Sequence, residues 1–227
     1  MAVITISREI GSGAEAIAEK VAEALRYDYA EKDLISVVAQ EAHADEETIM
    51  RFDERGRHPI LHFLMKYVIG ERRIIPAWPT YYWSDEFETL SVREGRSPVS
   101  TVSCRKLFED AIKKLWERGN VVIVGRGASI ILSGRSAVLS VRIIAPLEYR
   151  LHRVMLEQGV EYKDALKLIN RTDRQQNRYI KQNYGLKDDK PDRYKLFFDM
   201  GETSEEAVIQ SICRAAAEFD ETEIASV

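Results

Sequence analysis

Two kinds of apolar spacing alternate along the chain. Residues 2–7, AVITIS, form an unbroken run rich in β-branched side chains, the pattern of a strand buried on both faces. After Gly11-Ser12-Gly13 the spacing becomes helical, and Ile17, Val21, Ala24 and Leu25 make one stripe through AEAIAEKVAEAL. The chain therefore opens as strand, glycine loop, helix. Ser100 or Thr101 then caps a helix through LFEDAIKKLWER that Gly119 stops. NVVIVG at 120–125 and AVLSVRIIA at 137–145 are two more continuous apolar runs. Pro146 starts a helix through LEYRLHRVMLEQ, ended by Gly159, and a long helical stretch covers 161–183. Tyr194 to Phe198 reads as a last short strand. Thr203 and Glu206 form a capping box for the final helix, and the tail DETEIASV is expected to fray.

Helices are also predicted over 32–42, over 46–57 and from Pro59 onward. Between Ile75 and Pro98 the period is lost, and Pro76, Pro79 and Pro98 forbid a long helix. Residues 45–98 thus read as an insert within a single domain spanning 1–227. Apolar strands alternating with helices predict an α/β fold with a mostly parallel sheet covered on both faces. Ligands of such sheets bind beyond the carboxyl ends of the strands, which places Ser7 to Gly13 and Gly125 to Ala128 at the expected site.

Composition narrows the functional classes. With 227 residues, 45% of them hydrophobic, the chain can bury a full core, which excludes disorder and fibre. A formal charge of −4 gives no field to gather a polyanion, arguing against nucleic acid or a membrane surface as the main partner. No apolar run approaches the roughly 18 residues needed to cross a bilayer. Cys104 and Cys213 share no metal-type spacing and read as buried thiols of a reducing compartment. A soluble cytoplasmic protein is the expectation.

A Gly-x-Gly turn between a buried strand and a helix lets backbone N–H groups converge where the helix's positive end favours an anion. The full P-loop pattern adds a lysine and a hydroxyl after its second glycine. Aligned on Gly13, this chain has Arg8 for the first glycine, Ala14 for the lysine and Glu15 for the hydroxyl. Positive charge must then come from elsewhere, and Arg8 is the nearest candidate. Glu15 suits the helix dipole but repels phosphate, so it is either a magnesium ligand or a sign that triphosphate binding has decayed.

These residues resemble the cytidylate kinase-like family, a divergent branch of the P-loop nucleoside monophosphate kinases. The likeness lies in ISREIGSG at 6–13, Lys32-Asp33-Leu34-Ile35, VVIVGRGASIIL at 121–132, VRIIAPLEYRLHRV at 141–154, the Asp173 to Tyr179 segment and Tyr194-Lys195-Leu196. The blocks cover about half the chain and keep the family's order. The family usually lacks the P-loop lysine, so Ala14 fits it. Departures are Glu15 and Gln176, where the family favours arginine, and Lys195, where it carries aspartate. The resemblance implies a P-loop-type sheet with an arginine-bearing lid, and phosphoryl transfer from ATP with Mg2+ to a nucleoside monophosphate, CMP first. It places Ser7, Arg8, Gly11, Ser12, Gly13, Ala14 and Glu15 around the donor, with Gly125 and Arg126 on the acceptor monophosphate.

Phosphoryl transfer needs in-line placement and cations around the moving oxygens, and arginine's planar fork supplies both charge and geometry. Arg150 and Arg153 are spaced i, i+3 and share a helical face. Lys167, Arg171, Arg174, Arg178 and Lys181 follow at spacings of 4, 3, 4 and 3, a basic stripe at the position of the family's lid. Arg126, Arg150, Arg153, Arg171 and Arg174 are the candidates for catalysis, with Arg178 ranked lower; solvation and acidic neighbours explain the stripe equally simply. Glu31 and Asp33 are candidates for a cytosine amino group or a ribose hydroxyl, and Asp33 reads equally well as a helix cap. His58 and His62 lack the acidic companion of a zinc motif. Trp78, Tyr81, Tyr82 and Trp83 either anchor their own loop, stack a base or join two copies as a homodimer through 76–84. Three readings stay open: a nucleotide kinase, a catalytically silent nucleotide or phosphate sensor acting through self-association or a partner protein, and a kinase for another small molecule.

Overall fold

The computed structural model describes residues 2–31, 101–186 and 190–224, with side chains from 105 to 219 in the last two stretches. Elements are numbered along those residues. The helices expected between 32 and the segment after Pro59, the insert 45–98, Asp33, the two histidines and the aromatic group at 78–83 lie outside them.

The leading apolar run forms β1 (Val3–Arg8) and passes through the glycine loop into α1 (Ala14–Leu25). A left-handed Arg26 ends the helix and turns the chain into β2 (Asp28–Ala30). Then follow α2 (Thr101–Arg118), β3 (Val121–Val124), the single turn α3 (Ala128–Ile131) and β4 (Val138–Ile144). Next come α4 (Leu147–Gln158) and α5 (Tyr162–Tyr184), then a 3-10 turn at Pro191–Arg193, β5 (Leu196–Asp199) and α6 (Glu205–Ile224). The strands form one parallel sheet in the order β2-β3-β1-β4-β5. β1 lies at its centre, with Val3 in register with Val121 on one side and Val138 on the other.

Alternation along the strands divides the core in two. Ile4 and Ile6 of β1 pack with Ile17 and Val21 of α1 and Val208 and Ile212 of α6. Val3 faces the other way, with Ile123 of β3, Phe108 and Ile112 of α2 and Leu132 after α3. Helices cover both faces, as the continuous apolar runs predict. A third cluster joins Leu151 and Val154 of α4 to Ala165 and Ile169 of α5, with Ile10 of the glycine loop against it. This last contact fixes the α4–α5 pair to the loop. Among the described residues no helix is long and apolar enough to cross a membrane.

Several details differ from the pattern. β2 has three residues with only Ala30 buried, too short and polar to give a strand signal. The turn α3 and the 3-10 turn are likewise below the reach of periodicity. β5 starts at Leu196 because the 3-10 turn delays pairing until the Lys195 N–H reaches the Ser140 carbonyl at 2.9 Å. The cap of α6 is Ser204, whose Oγ accepts from the Ala207 amide at 3.3 Å; the expected cap, Thr203, instead donates its amide to the Asp199 carbonyl. That helix continues to Ile224, taking in most of the tail expected to fray.

Candidate functional site

The loop from Glu9 to Gly13 is folded on itself and pressed onto α4. Ser12 donates both its amide, at 3.2 Å, and its Oγ, at 2.7 Å, to the Glu9 carbonyl. A Cβ at Gly11 would lie 2.8 Å from the Arg150 carbonyl, so the close approach of two backbones requires glycine there whether or not a ligand binds. Gly13 has φ +81, and a Cβ on it would lie 2.6 Å from NH1 of Arg153. The guanidinium of Arg153 therefore covers the loop at its second glycine. The amides of Ala14, Glu15 and Ala16 precede the first bond of α1, from Ile17 N–H to the Gly13 carbonyl, and point out of the helix end. Converging amides with a guanidinium overhead make a seat for an oxyanion.

Around that seat the chain buries four arginines, Arg8, Arg126, Arg142 and Arg150, against one buried carboxylate, Glu31, among the described residues. Buried guanidinium groups need partners, and half-exposed carboxylates supply them. Arg8 ends β1 and donates its Nε to Glu15 at 2.9 Å, with its NH2 3.6 Å from Glu31. Arg142 on β4 donates to the Ser7 hydroxyl at 2.7 Å and the Arg8 carbonyl at 3.3 Å, with Glu9 3.9 Å away. Arg150 on α4 donates to the Ile10 carbonyl at 2.7 Å and to Asp173 on α5 at 2.6 Å, with Glu9 at 3.4 Å. Arg150 thus ties the loop to both helices, which is a positioning role.

Arg126 lies in the turn after β3, where Gly125, Arg126 and Gly127 all adopt left-handed conformations. For arginine that conformation costs about 1–2 kcal/mol, and such strain concentrates at functional sites. Its side chain is the largest fully buried one described, lying over the Phe108 ring at 5.7 Å and donating NH1 to the Glu31 carbonyl. The Nε is buried and makes no hydrogen bond of its own. The Glu31 carboxylate accepts from the Tyr29 hydroxyl at 2.9 Å, and burial together with Glu31 pushes that phenol above its usual range. Glu31, expected to read a base or ribose, is thus committed to holding Arg8, Arg126 and Tyr29.

The basic stripe of α5 goes elsewhere. Ala165, Ile169, Thr172 and Ile180 are the buried residues of this helix, and Asp173 and Gln176 reach Arg150 and the Arg8 carbonyl from the same side. Lys167, Arg171, Arg174, Arg178 and Lys181 fall on the opposite side and are exposed. The two lid arginines expected in catalysis, Arg171 and Arg174, are therefore not brought to the loop. Gln176, where the family favours arginine, is: its Nε2 donates to the Arg8 carbonyl at 3.1 Å. The C-terminal end of α5 covers the Gly125–Gly127 turn. Tyr184 packs its ring on Gly127 and extends its hydroxyl to within 3.5 Å of the Arg126 carbonyl. The cavity left between Ser7, Gly125, Gly127, Gln176 and Ile180 measures ≈ 10 Å3, room for a single water.

Arg153 completes the set from α4, donating to Glu157 and to Glu205 of α6, each at 2.7 Å. Burial opposes its charge, but the hydrogen bonds to Glu205, Glu157 and Tyr149 outweigh that and hold the guanidinium above its usual range. The same bond holds the Glu205 carboxyl below the ordinary carboxylate range. Lys195 stands apart, its ammonium 4.0 Å from the Phe219 ring and its pKa lowered by burial. Cys213 is half-buried, its thiol pushed up by burial. Sequence reasoning missed Glu9, Arg142 and Tyr184, and it gave Asp173 no role of its own at the loop. Arg142 did leave a signal, since a lone charge within the apolar run AVLSVRIIA must find a partner.

No three His, Cys, Asp or Glu side chains group into a metal site among the described residues. Glu15, the residue singled out for magnesium, has its carboxylate bonded to Arg8, a poor starting point for a cation ligand. The loop fits a phosphate; Glu15 does not fit a metal.

A family model described as the cytidylate kinase-like family matches residues 3–202. A curated cytidylate kinase from Methanopyrus kandleri is 29% identical over 108 residues, covering 44% of this chain and 55% of the relative. The chain thus matches about half the length of that relative. An uncharacterized protein from Eubacterium ventriosum has a solved structure that superposes with a TM-score of 0.62 at 20% identity, over 96% of this chain and 99% of that one. A shikimate kinase from Bacteroides thetaiotaomicron superposes at 0.47 and 14% identity, over 94% and 97%.

Proposed function

Since the chain belongs to the cytidylate kinase-like family, whose model spans residues 3–202, we propose that it transfers the terminal phosphoryl group of ATP to a nucleoside monophosphate, with CMP the first candidate. The observation that carries this reading is the placement of the Arg153 guanidinium over Gly13, beside the outward amides of α1, within one cluster of buried arginines at the carboxyl ends of β1 and β3.

In this reading the loop from Ser7 to Ala14 seats the donor phosphates through its amides. Arg153 neutralises charge on the oxygens in flight, and Arg126 faces the acceptor from the turn after β3. The acceptor phosphate oxygen attacks the terminal phosphorus as the bond to the bridging oxygen breaks, leaving ADP and a nucleoside diphosphate. No general base is required, because a phosphate acceptor is already ionised at neutral pH. Positioning and charge neutralisation carry the rate. Arg142 and Arg150 act on this chemistry indirectly, by fixing the Ser7–Ile10 backbone. A divalent metal bound with ATP would supply further neutralisation of phosphate charge; Glu15 is not assigned to it.

One observation favours the alternative of a silent nucleotide-binding protein: Arg8 is already engaged by Glu15 and Glu31. Self-association or a partner protein would then be the output. A coupled assay with ATP against a panel of monophosphates separates the two. Turnover highest with CMP supports the kinase reading, whereas binding of ATP by calorimetry without turnover of any monophosphate replaces it with the silent one. Failure to bind or turn over any nucleotide overturns both.

A further inference from the structure

Among the described residues, two carboxylates that differ in kind already meet the charge that Arg8 offers an incoming anion. Glu31 is fixed, with 5% of its side chain exposed, the Tyr29 hydroxyl on its carboxylate and Arg126 on its carbonyl. Glu15 stands in the first turn of α1 with 40% of its side chain exposed, and Arg8 is its one ion-pair partner among the described residues. From this asymmetry we infer that Glu15 is a displaceable internal counter-ion: it holds the Arg8 guanidinium in the absence of nucleotide and yields that place to a phosphate. The inference rests on the nucleotide-binding reading above.

The physical argument is an exchange of anions. Glu31 stays 3.6 Å from NH2 throughout, but the Nε that Glu15 occupies needs an acceptor of its own, since a buried donor left unmade is costly. A carboxylate that is 40% exposed returns to water at little cost. Glu15 and a bound phosphate also compete for the same positive helix end. The residue thus acts on affinity, raising the threshold that an anion must pass and favouring the more highly charged phosphate chain over a monoanion. Gln176 on the Arg8 carbonyl and Arg142 on the Ser7 hydroxyl keep the strand end in place while the partner changes.

The test is calorimetric titration of the full chain and of Glu15→Gln with ATP, once in chelator and once with magnesium. Glu15→Gln should bind ATP roughly three- to tenfold more tightly in both conditions, the factor expected when a partly exposed ion-pair competitor is removed. Glu15→Ala repeats the measurement with a residue that favours the helix. Unchanged or weaker binding in both conditions overturns the inference. A loss confined to the magnesium titration overturns it in favour of a metal ligand, and unfolding of both variants overturns it in favour of a structural ion pair. If the unaltered chain binds ATP in neither condition, the nucleotide reading fails first and this inference with it.

Discussion

Replacing Arg150 by alanine separates positioning from catalysis. The side chain is 6% exposed and makes three polar contacts, to the Ile10 carbonyl at 2.7 Å, Asp173 at 2.6 Å and Glu9 at 3.4 Å. Hydrogen bonds to charged groups contribute about 1.5–3 kcal/mol each, and breaking a fully buried pair costs about 3–5 kcal/mol. Asp173 and Glu9 keep 32% and 27% of their side chains exposed, so water takes over part of what the guanidinium gave up. The net cost falls at about 2–4 kcal/mol. For a chain of 227 residues that lowers the melting temperature by roughly 5–15 °C. Thermal and denaturant unfolding followed by circular dichroism reads it directly. Arg150→Lys should recover only part, since an ammonium cannot span the Ile10 carbonyl and Asp173 with one planar fork. Full melting stability in Arg150→Ala with activity lost would refute the reasoning and make Arg150 a catalytic contact.

Arg153→Ala should behave oppositely: its side chain is 24% exposed and its partners reach solvent, so stability falls by no more than about 1 kcal/mol, while kcat/KM in the coupled assay falls about 10²-fold. Gly13→Ala should lose about 1–2 kcal/mol from its φ of +81 and should also lose ATP affinity by calorimetry, because its Cβ displaces Arg153. Glu205 titrates below its ordinary 4.5 in the folded chain because Arg153 donates to it. The pair therefore stabilises the fold above the unfolded value and stops doing so as pH falls through the lowered folded one. The gap in melting temperature between the unaltered chain and Glu205→Gln should be open at pH 7, narrow once pH drops below about 4.5, and close at more acid pH.

Much of the architecture was written in local pattern. Each long continuous apolar run became a sheet strand, α1 begins right after Gly13, α4 runs from Pro146 to Gly159, and α5 fills the stretch expected over 161–183. The order of strands and loops also placed the Gly11–Gly13 turn and the Gly125–Gly127 turn at one end of the sheet. Spacing alone put Arg150 and Arg153 on one helical face, and both do meet the loop. What periodicity could not carry was the partner of each charge. A stripe of five basic residues on α5 looks like a clamp until packing decides which side of that helix is buried; the apolar stripe through Ala165, Ile169 and Ile180 turns the arginines outward and leaves Asp173 and Gln176 at the site. Arg8, Glu15 and Glu31 are seven to twenty-three residues apart along the chain, and only the ends of β1 and β2 and the first turn of α1 bring them together. Hydrophobic order is a property of neighbours in sequence, so it survives in one dimension. Electrostatic pairing is a property of neighbours in space, and it existed only once the sheet had closed.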